Sequence, residues 1–445
     1  MKRPAVAELL GSMPPESAEL TRALLAAANE RNLSVYLVGG PVRDWLLERP
    51  LRDVDLILEP SEIPAEVLAR AAAPEGARIQ VHDRFGTVAL EAGSARIDVA
   101  TSRREHYDHD GALPRVEHAA VEEDLHRRDF SVNALAIPLS RAARKRHADV
   151  VDPTGGLEDL QRRRLRILHR RSFCDDPTRV LRAARLAPRL GFSLSRSSRS
   201  ALQDALRDGA FGRVSGERLR AEFVKLFGDA LLGLDPVRGL RLLSEWHVLG
   251  ALEPGLCLDA SVAPVIRRVG RAVATPPWKG LRWRPWVSGL MVWLAPHPAQ
   301  LRQRALRRFA VRGALAERIA GLPKLRDRTL RSLTKARGRG AIDAALRELA
   351  EEELHALHAW ASPALRRRIA RFAEEDRHRR LPINGVDLAQ LGLAGPEIGR
   401  ALEHVRLAVL DGAVRSRDEA LAIAREIGQR RKVPTRRKRE LPRQG

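Results

Sequence analysis

The chain has little cysteine and few aromatic residues. Cys174 and Cys257 are the only cysteines among 445 residues. They exclude a disulfide framework and any cysteine-based metal spacing, and they fit a reduced, cytoplasmic setting. Aromatics make up 4%, so the cores must be built mainly from Leu, Val and Ala, which favours helices. No apolar run approaches the ~20 residues that a membrane span needs. The first twenty residues hold no apolar stretch of the length that a secretory signal requires. Acidic residues are also short: 56 Asp and Glu stand against 79 Lys and Arg, a formal net charge of +23. A GC-rich genome accounts for arginine outnumbering lysine but not for that excess. The excess calls for a polyanionic partner, and arginine suits phosphate forks and base stacking. Apolar residues, at 44%, are enough for globular packing. The length is too great for one core and implies about two to four domains. No internal repeat interrupts the pattern.

What is present is organised around Val35 to Leu58, VYLVGGPVRDWLLERPLRDVDLIL. It reads as strand, glycine turn, short helix, strand. Gly39 and Gly40 let backbone approach a ligand that a Cβ would block. The helix that follows, from about Val42 to Leu47, offers free N–H groups to a phosphate, and Arg43 in its first turn can add a bidentate grip. In DVDLIL, Asp53 and Asp55 are two residues apart. On a strand they share a face, with Cα atoms roughly 6–7 Å apart. Two like charges so placed repel unless a cation lies between them. Mg²⁺ takes one or two carboxylates together with substrate phosphates. An edge strand with acids facing water carries the same letters, and the glycine turn directly upstream argues for the cation.

A helical lead-in, SAELTRALLAAANERNL, precedes this stretch, and a helix over Ile63–Ala73 follows it. Strands are predicted over Phe85–Ala92 and Ala95–Ser102. Asp98 sits mid-strand among apolar neighbours, where a lone carboxylate is expensive. It is either a third acid facing the cation or the partner of a structural arginine. Arg104 to Val116 reads as a mobile loop, with Gly111 and Pro114 as breakers. LHRRDFSVNALAI then resumes regular structure. Arg128 there is a candidate for triphosphate and Asp129 for ribose hydroxyls. VVDPTGGLEDL closes the segment with a turn.

In FCDDPTRVLRAARLAPRLGF, Asp176, Arg179, Arg182 and Arg185 recur every third residue, a stripe drifting along one side of a helix. Val180, Leu181, Ala184 and Leu190 take the other side. Asp176 before Pro177 can be a helix cap. An acid and an arginine one turn apart can also read a base edge. Gly191 is the expected stop, and Pro188 predicts a kink or an earlier end. From Ser200 onward the pattern is nearly all helical. Trp278, Trp283 and Trp286 lie among basic residues, placed either to stack on unpaired bases or to fill gaps between helices. Leu381–Gly399 reads as a Gly- and Pro-punctuated turn before another helix. The last residues, RRKVPTRRKRELPRQG, read as a disordered basic arm.

In order and spacing, LVGGPVRDWLL, RPLRDVDLIL, FGTVAL, IDVATSR, EEDLHRRDFSVNALA, VDPTGGLEDL and DDPTRVLRAARLAPRLGF resemble the class II tRNA nucleotidyltransferase and bacterial poly(A) polymerase family, whose best-known members are the CCA-adding enzymes. The match is nearly continuous from Val35 to about Pro254, with a tail-like segment at LPINGVDLAQLGL. The resemblance implies an α+β fold: a nucleotidyltransferase head with a small mixed β-sheet, then all-α neck, body and tail. The divisions expected are a lead-in at 1–33, head at 34–170, nucleotide-selecting neck at 171–230, RNA-binding body and tail at 231–428, and the basic arm at 429–445. It implies Mg²⁺ on Asp53 and Asp55 as catalytic residues. Nucleotide contacts would fall on Gly40, Arg43, Arg128, Asp176, Arg179, Arg182 and Arg185, with Asp176 and Arg179 selecting ATP and CTP without a template. The partners implied are the 3′ end of tRNA or other RNA, ATP and CTP, and no membrane. Asp175 stands where the family usually has Glu, and Pro188 where it usually has a small residue. No HD phosphohydrolase motif is evident. Poly(A) addition to RNA is the nearest alternative product, because the stretch RREHYDHDGALPRVE looks like the loop of members that add only A or make A tails. A catalytically inactive RNA-binding protein is the distant one.

Overall fold

The computed structural model describes residues 5–82, 86–106, 115–279 and 284–429. The chain divides into two compact units: Met1–Glu222 with Arg238–Gly255, and Phe223–Val237 with Leu256–Gly445. The fold is mixed α+β with a small mixed sheet, as the motifs imply.

The sheet of the first unit comprises β1 (Val35–Val38), β2 (Val54–Leu58), β3 (Arg78–His82), β4 (Thr87–Ala92), β5 (Ala95–Thr101) and β8 (Ala136–Pro138), in the order β3-β4-β5-β2-β1-β8. Only β2 and β5 pair in parallel; the other neighbours are antiparallel. β1 is buried along its whole length, which is why VYLV is an unbroken apolar run and not an alternating one. On one face Tyr36, Val38 and Ile57 pack with Val121 and Leu125 of the Val121–His126 helix and with Ala143 and Val151. The lead-in forms helices Val6–Gly11 and Pro15–Glu30. The second buries Leu20, Leu24, Leu25 and Ala28 and packs with the Ala65–Ala72 helix and β5. That helix is shorter at both ends than the predicted Ile63–Ala73.

The stretch taken as a loop from Arg104 to Val116 is paired at both ends. β6 (Arg103–His106) and β7 (Arg115–His118) form an antiparallel hairpin. Arg104 meets Glu117 at 2.8 Å across it, and the Ser102 hydroxyl donates to the Ala119 carbonyl at 2.6 Å. Mostly charged strands give no apolar alternation, so the pairing was invisible in sequence. Residues 107–114, with the breakers Gly111 and Pro114, and Phe85 at the predicted start of β4 lie outside the described residues.

The arginine-striped helix spans Thr178–Leu190 and runs through Pro188. The predicted early end is therefore incorrect. Proline removes a single N–H near the C-terminus, and buried Ala187 and Leu190 hold the last turn in place. Gly191 closes it in the left-handed region, φ 73°. The boundaries drawn at 33/34 and 170/171 both fall inside the first unit.

The second unit is helical among its described residues. Trp278 is 1% exposed and packs with Leu346, Leu354, Ile369 and Phe372. The base-stacking reading is thus wrong for this tryptophan, which fills a core; Trp286 is half-buried, and Trp283 lies outside the described residues. A separate cluster gathers Ile383, Leu388, Ala401, Val405, Ala420 and Ala424. Within Leu381–Gly399, read as a turn, the chain forms a helix over Gly385–Gln390 and starts another at Pro396. Asn384 Oδ1 accepts from Val386 N at 2.8 Å, and Asp387 Oδ2 accepts from Asn384 N at 2.8 Å. That is a reciprocal cap that the letters N-G-V-D displayed. The basic arm beyond Gln429 lies outside the described residues. No described helix is long and apolar enough to cross a membrane.

Candidate active site

The acids converge at the middle of the sheet. β2 begins at Val54, so Asp53 is exposed one residue before it, and Asp55 is half-buried within it. The parallel register sets Asp55 opposite Asp98. Asp98 is not a buried lone carboxylate: it is 38% exposed and paired with Arg96 at 3.1 Å, while Arg96 also reaches Glu91 at 3.0 Å. Both readings of Asp98 thus find support, since it has an arginine partner and faces Asp55. Burial pushes the Asp55 carboxyl up to about 6; the Arg128 charge opposes this, and Asp98 and Asp53 add to it. A half-buried acid pressed by two like charges is an environment that a hard cation relieves. Among the described residues no three His, Cys, Asp or Glu side chains form a metal cluster. An ion held by Asp53 and Asp55 alone would have to draw its remaining ligands from phosphate and water.

Gly39 ends β1 with φ +75°, its N–H bonded to the Leu135 carbonyl at 3.0 Å. The positive φ favours glycine, and a Cβ there would lie 2.7 Å from Arg128 Nη1, which would have to move aside. Gly40 opens the Gly40–Leu46 helix. Arg128 lies along the turn, its Nε and Nη2 on Asp124 Oδ2 at 3.3 and 3.1 Å. Arg43, expected to grip phosphate, is 3% exposed. Its Nε and Nη2 hold Asp44 at 2.8 Å, and its Nη1 holds Asn133 Oδ1 at 2.5 Å. A phosphate contact by Arg43 requires it to exchange those partners.

Asp129 is buried and accepts from Phe130 N at 2.8 Å and Asn133 Nδ2 at 3.0 Å, with Arg182 Nη2 at 2.8 Å. Burial would raise its pKa, but Arg182, Asn133, Arg179 and the Phe130 N–H outweigh burial and hold it below the ordinary carboxylate range. Arg179 is also buried; it donates to Ser172 Oγ at 2.5 Å and to the Arg127 carbonyl at 3.1 Å. Arg185 faces Glu222 at 3.5 Å. Asp176 Oδ1 accepts from the Thr178 N–H at 3.0 Å and its hydroxyl at 2.6 Å, and meets Arg218 at 2.7 Å. The helix is capped by Pro177 with no side-chain cap bond, and Asp176, one residue earlier, ties down its first residue, Thr178. The stripe is not a free row of donors, because each arginine is anchored to a different element. Contacts join Gly39, Arg128, Asp129, Arg179, Arg182 and Arg43 into one network; Asp176 and Arg185 pair with Arg218 and Glu222 instead.

Sequence reasoning missed the supports. Asp124 lies three and four residues before Arg127 and Arg128, a helical charge spacing that was there to be seen. Asp159 is buried and takes Ser131 Oγ at 2.6 Å and Arg166 Nε at 2.7 Å. Asp152 accepts from Gly156 N at 2.7 Å and Leu157 N at 3.0 Å. Gly156 packs so tightly on the Ser131 carbonyl that a Cβ would overlap it. The DPTGG turn thus braces the segment that carries Asn133.

The family described as Poly A polymerase head domain matches residues 35–166. The chain is 30% identical to an A-adding tRNA nucleotidyltransferase of Geobacter sulfurreducens, over 93% of this chain and 47% of that protein. It is 33% identical to a CC-adding tRNA nucleotidyltransferase of Deinococcus radiodurans, over 86% of each. It is 30% identical to a CCA-adding enzyme of Geobacillus stearothermophilus, over 89% of this chain and 94% of that one. The matches to three A-adding relatives cover 47%, 26% and 57% of their lengths. A solved CCA-adding enzyme in an apo form superposes with TM-score 0.73 at 28% identity, over 95% of this chain and 99% of that one. The Thermotoga maritima CCA-adding enzyme complexed with tRNA-CCA gives 0.68 at 27%, over 97% and 100%. Motif order, head-domain match and likeness along nearly the whole of two relatives agree, and the chain belongs to the tRNA nucleotidyltransferase and poly(A) polymerase family.

Proposed function

We propose that this chain is a template-independent RNA nucleotidyltransferase that adds nucleotides from CTP and ATP to the 3′ end of tRNA, as CCA or as the terminal A, and releases pyrophosphate. The observation that carries the reading is the acid pair Asp53 and Asp55 beside the Gly39 turn, with Arg128 laid along that turn. In this reading residues 34–170 are the catalytic head, 171–230 the nucleotide-selecting neck, and 231–428 the RNA-holding body and tail, in a cytoplasmic enzyme. Asp53 and Asp55 would hold Mg²⁺, which when bound lowers the pKa of the terminal 3′-hydroxyl and offsets triphosphate charge.

The residues of the chain do the rest by position and charge. The Gly39–Gly40 turn admits the triphosphate to backbone distance, and Arg128 neutralises it. Arg43 and Arg182 can join by exchanging their present partners, which frees Asp129 for the ribose hydroxyls. Asp176 and Arg179 supply an acceptor and donors to the base edge on exchanging Arg218, Ser172 and the Arg127 carbonyl, with Arg185 held by Glu222 behind them. The 3′-oxygen then attacks the α-phosphorus in line, and the bond to the leaving pyrophosphate breaks.

The test uses tRNA ending before CCA, tRNA ending before the final A, and complete tRNA, each with CTP or ATP. Extension of the second by ATP and not of the third is expected; extension of the first by CTP then marks CCA addition, and its absence marks addition of the terminal A alone. A long ladder of A residues on generic RNA would favour poly(A) polymerase instead. No extension of any substrate by folded protein with Mg²⁺ would leave the RNA-binding reading.

A further inference from the structure

Asp124 is fully buried, with no solvent exposure. It lies outside every set of residues assigned above to substrate or metal. Its Oδ1 accepts from Arg127 Nε at 2.9 Å and Nη2 at 2.7 Å, and from the Arg103 backbone N–H at 3.2 Å. Its Oδ2 takes the paired edge of Arg128 through Nε and Nη2. Both N–H bonds converge on that one oxygen, so Asp124 holds the Nε–Nη2 edge of the Arg128 guanidinium against itself. With that edge committed, Nη1 is left beside Gly39. Arg103 opens β6, and the Arg127 carbonyl holds Arg179. One buried acid therefore ties the phosphate-side arginine, the hairpin and the base-side helix together.

Arg128 is also the cation whose field acts most strongly on Asp55. A flexible arginine next to a crowd of acids has an obvious alternative place: among the acids themselves. We propose that Asp124 is a positioning residue that holds Arg128 along the Gly39 turn and keeps it out of the space between Asp53 and Asp55 that a divalent cation would fill. The inference rests on the proposed nucleotidyltransferase reading, in which that space takes the ion and the turn takes the triphosphate. Released from Asp124, Arg128 would swing onto the aspartates, compete with the ion, and leave the phosphates without their counter-charge.

The full chain is compared with its Asp124→Asn, Asp124→Glu, Arg128→Ala and Asp124→Asn/Arg128→Ala variants. Mn²⁺ alone is the binding probe, followed calorimetrically without nucleotide. KM and kcat for ATP are measured on tRNA ending before the final A. Asp124→Asn should weaken Mn²⁺ binding and raise KM for ATP by about tenfold each, the size of coupling usual between groups in one network, with a smaller change in kcat. Asp124→Glu, which keeps the charge, should recover much of both. The double variant should bind Mn²⁺ as Arg128→Ala does, because the competing guanidinium is gone. Additive losses in the double variant, or wild-type Mn²⁺ binding by folded Asp124→Asn, would overturn the proposal. If Asp124→Asn does not fold, Arg128→Ala alone decides: Mn²⁺ binding kept or tightened supports the proposal, and Mn²⁺ binding lost refutes it. A wild type that neither binds Mn²⁺ nor extends tRNA would overturn the underlying reading and this inference with it. Failure of the inference alone appears beside a normal wild type.

Discussion

Replacing Asp55 with Asn removes a charge that the protein holds unfavourably when no cation is bound. Burial, with Asp98 and Asp53, moves this carboxyl from 3.8 up to about 6. Each pKa unit corresponds to about 1.4 kcal/mol, so the shift bounds the penalty at about 3 kcal/mol. Partial solvent contact screens part of it, leaving about 1–2 kcal/mol as the working value. A folded-state pKa above the unfolded one means that the folded chain binds the proton more readily. The contribution of Asp55 to stability is therefore fully present below about pH 4 and is lost as pH rises through about 6. Asn has no such dependence. In chelator at pH 8 the variant should unfold at a temperature roughly 2–8 °C above wild type, given a shift of ~2–4 °C per kcal/mol for a domain of this size. Near pH 5 the difference should shrink, and added Mg²⁺ should stabilise wild type and not the variant. Differential scanning calorimetry at the two pH values, with and without Mg²⁺, measures all of this. A variant no more stable than wild type at pH 8, or a gap that ignores pH, would refute the reasoning.

Gly156→Ala should cost about 1–3 kcal/mol by overpacking, because its Cβ would press on the Ser131 carbonyl. By shifting Asn133 it should also raise KM for ATP, which urea melts and initial rates would check. In the second unit His355 has no solvent exposure and burial pushes it down to about 3, with His358 adding to the push; burial also takes His358 down to about 4. The unfolded chain therefore takes up these protons first, and stability present above about pH 6.5 is lost as pH falls toward 3. Thermal unfolding of His355→Phe between pH 4 and 7 should show a flatter pH dependence than wild type.

The glycine turn, the acid pair and the change from strands to helices were legible because each is local: a few residues fix the chemistry. What was not legible depends on partners distant in sequence. Arg43 looked like a free phosphate ligand: Asp44 beside it was visible in the sequence, but its second acceptor, Asn133, lies ninety residues away. The facing of Asp55 and Asp98 needs the parallel pairing of β2 with β5, while chain order offers only the β4–β5 hairpin. Trp278 among basic residues reads equally well as a base-stacking surface or a core. Only its neighbours Leu346, Leu354 and Phe372 decide for the core. The charged β6–β7 hairpin had no apolar alternation to betray it. The cap at Asn384 and the spacing of Asp124 ahead of its two arginines were visible and were passed over.

The measurement that bears most directly on the account is incorporation of labelled ATP into tRNA ending before the final A, by wild type and by Asp53→Ala and Asp55→Ala proteins shown to be folded by circular dichroism. The account predicts that both variants fall to background while wild type extends the tRNA by one nucleotide. Extension by either folded variant at the wild-type rate would contradict the assignment of these two aspartates to the reaction.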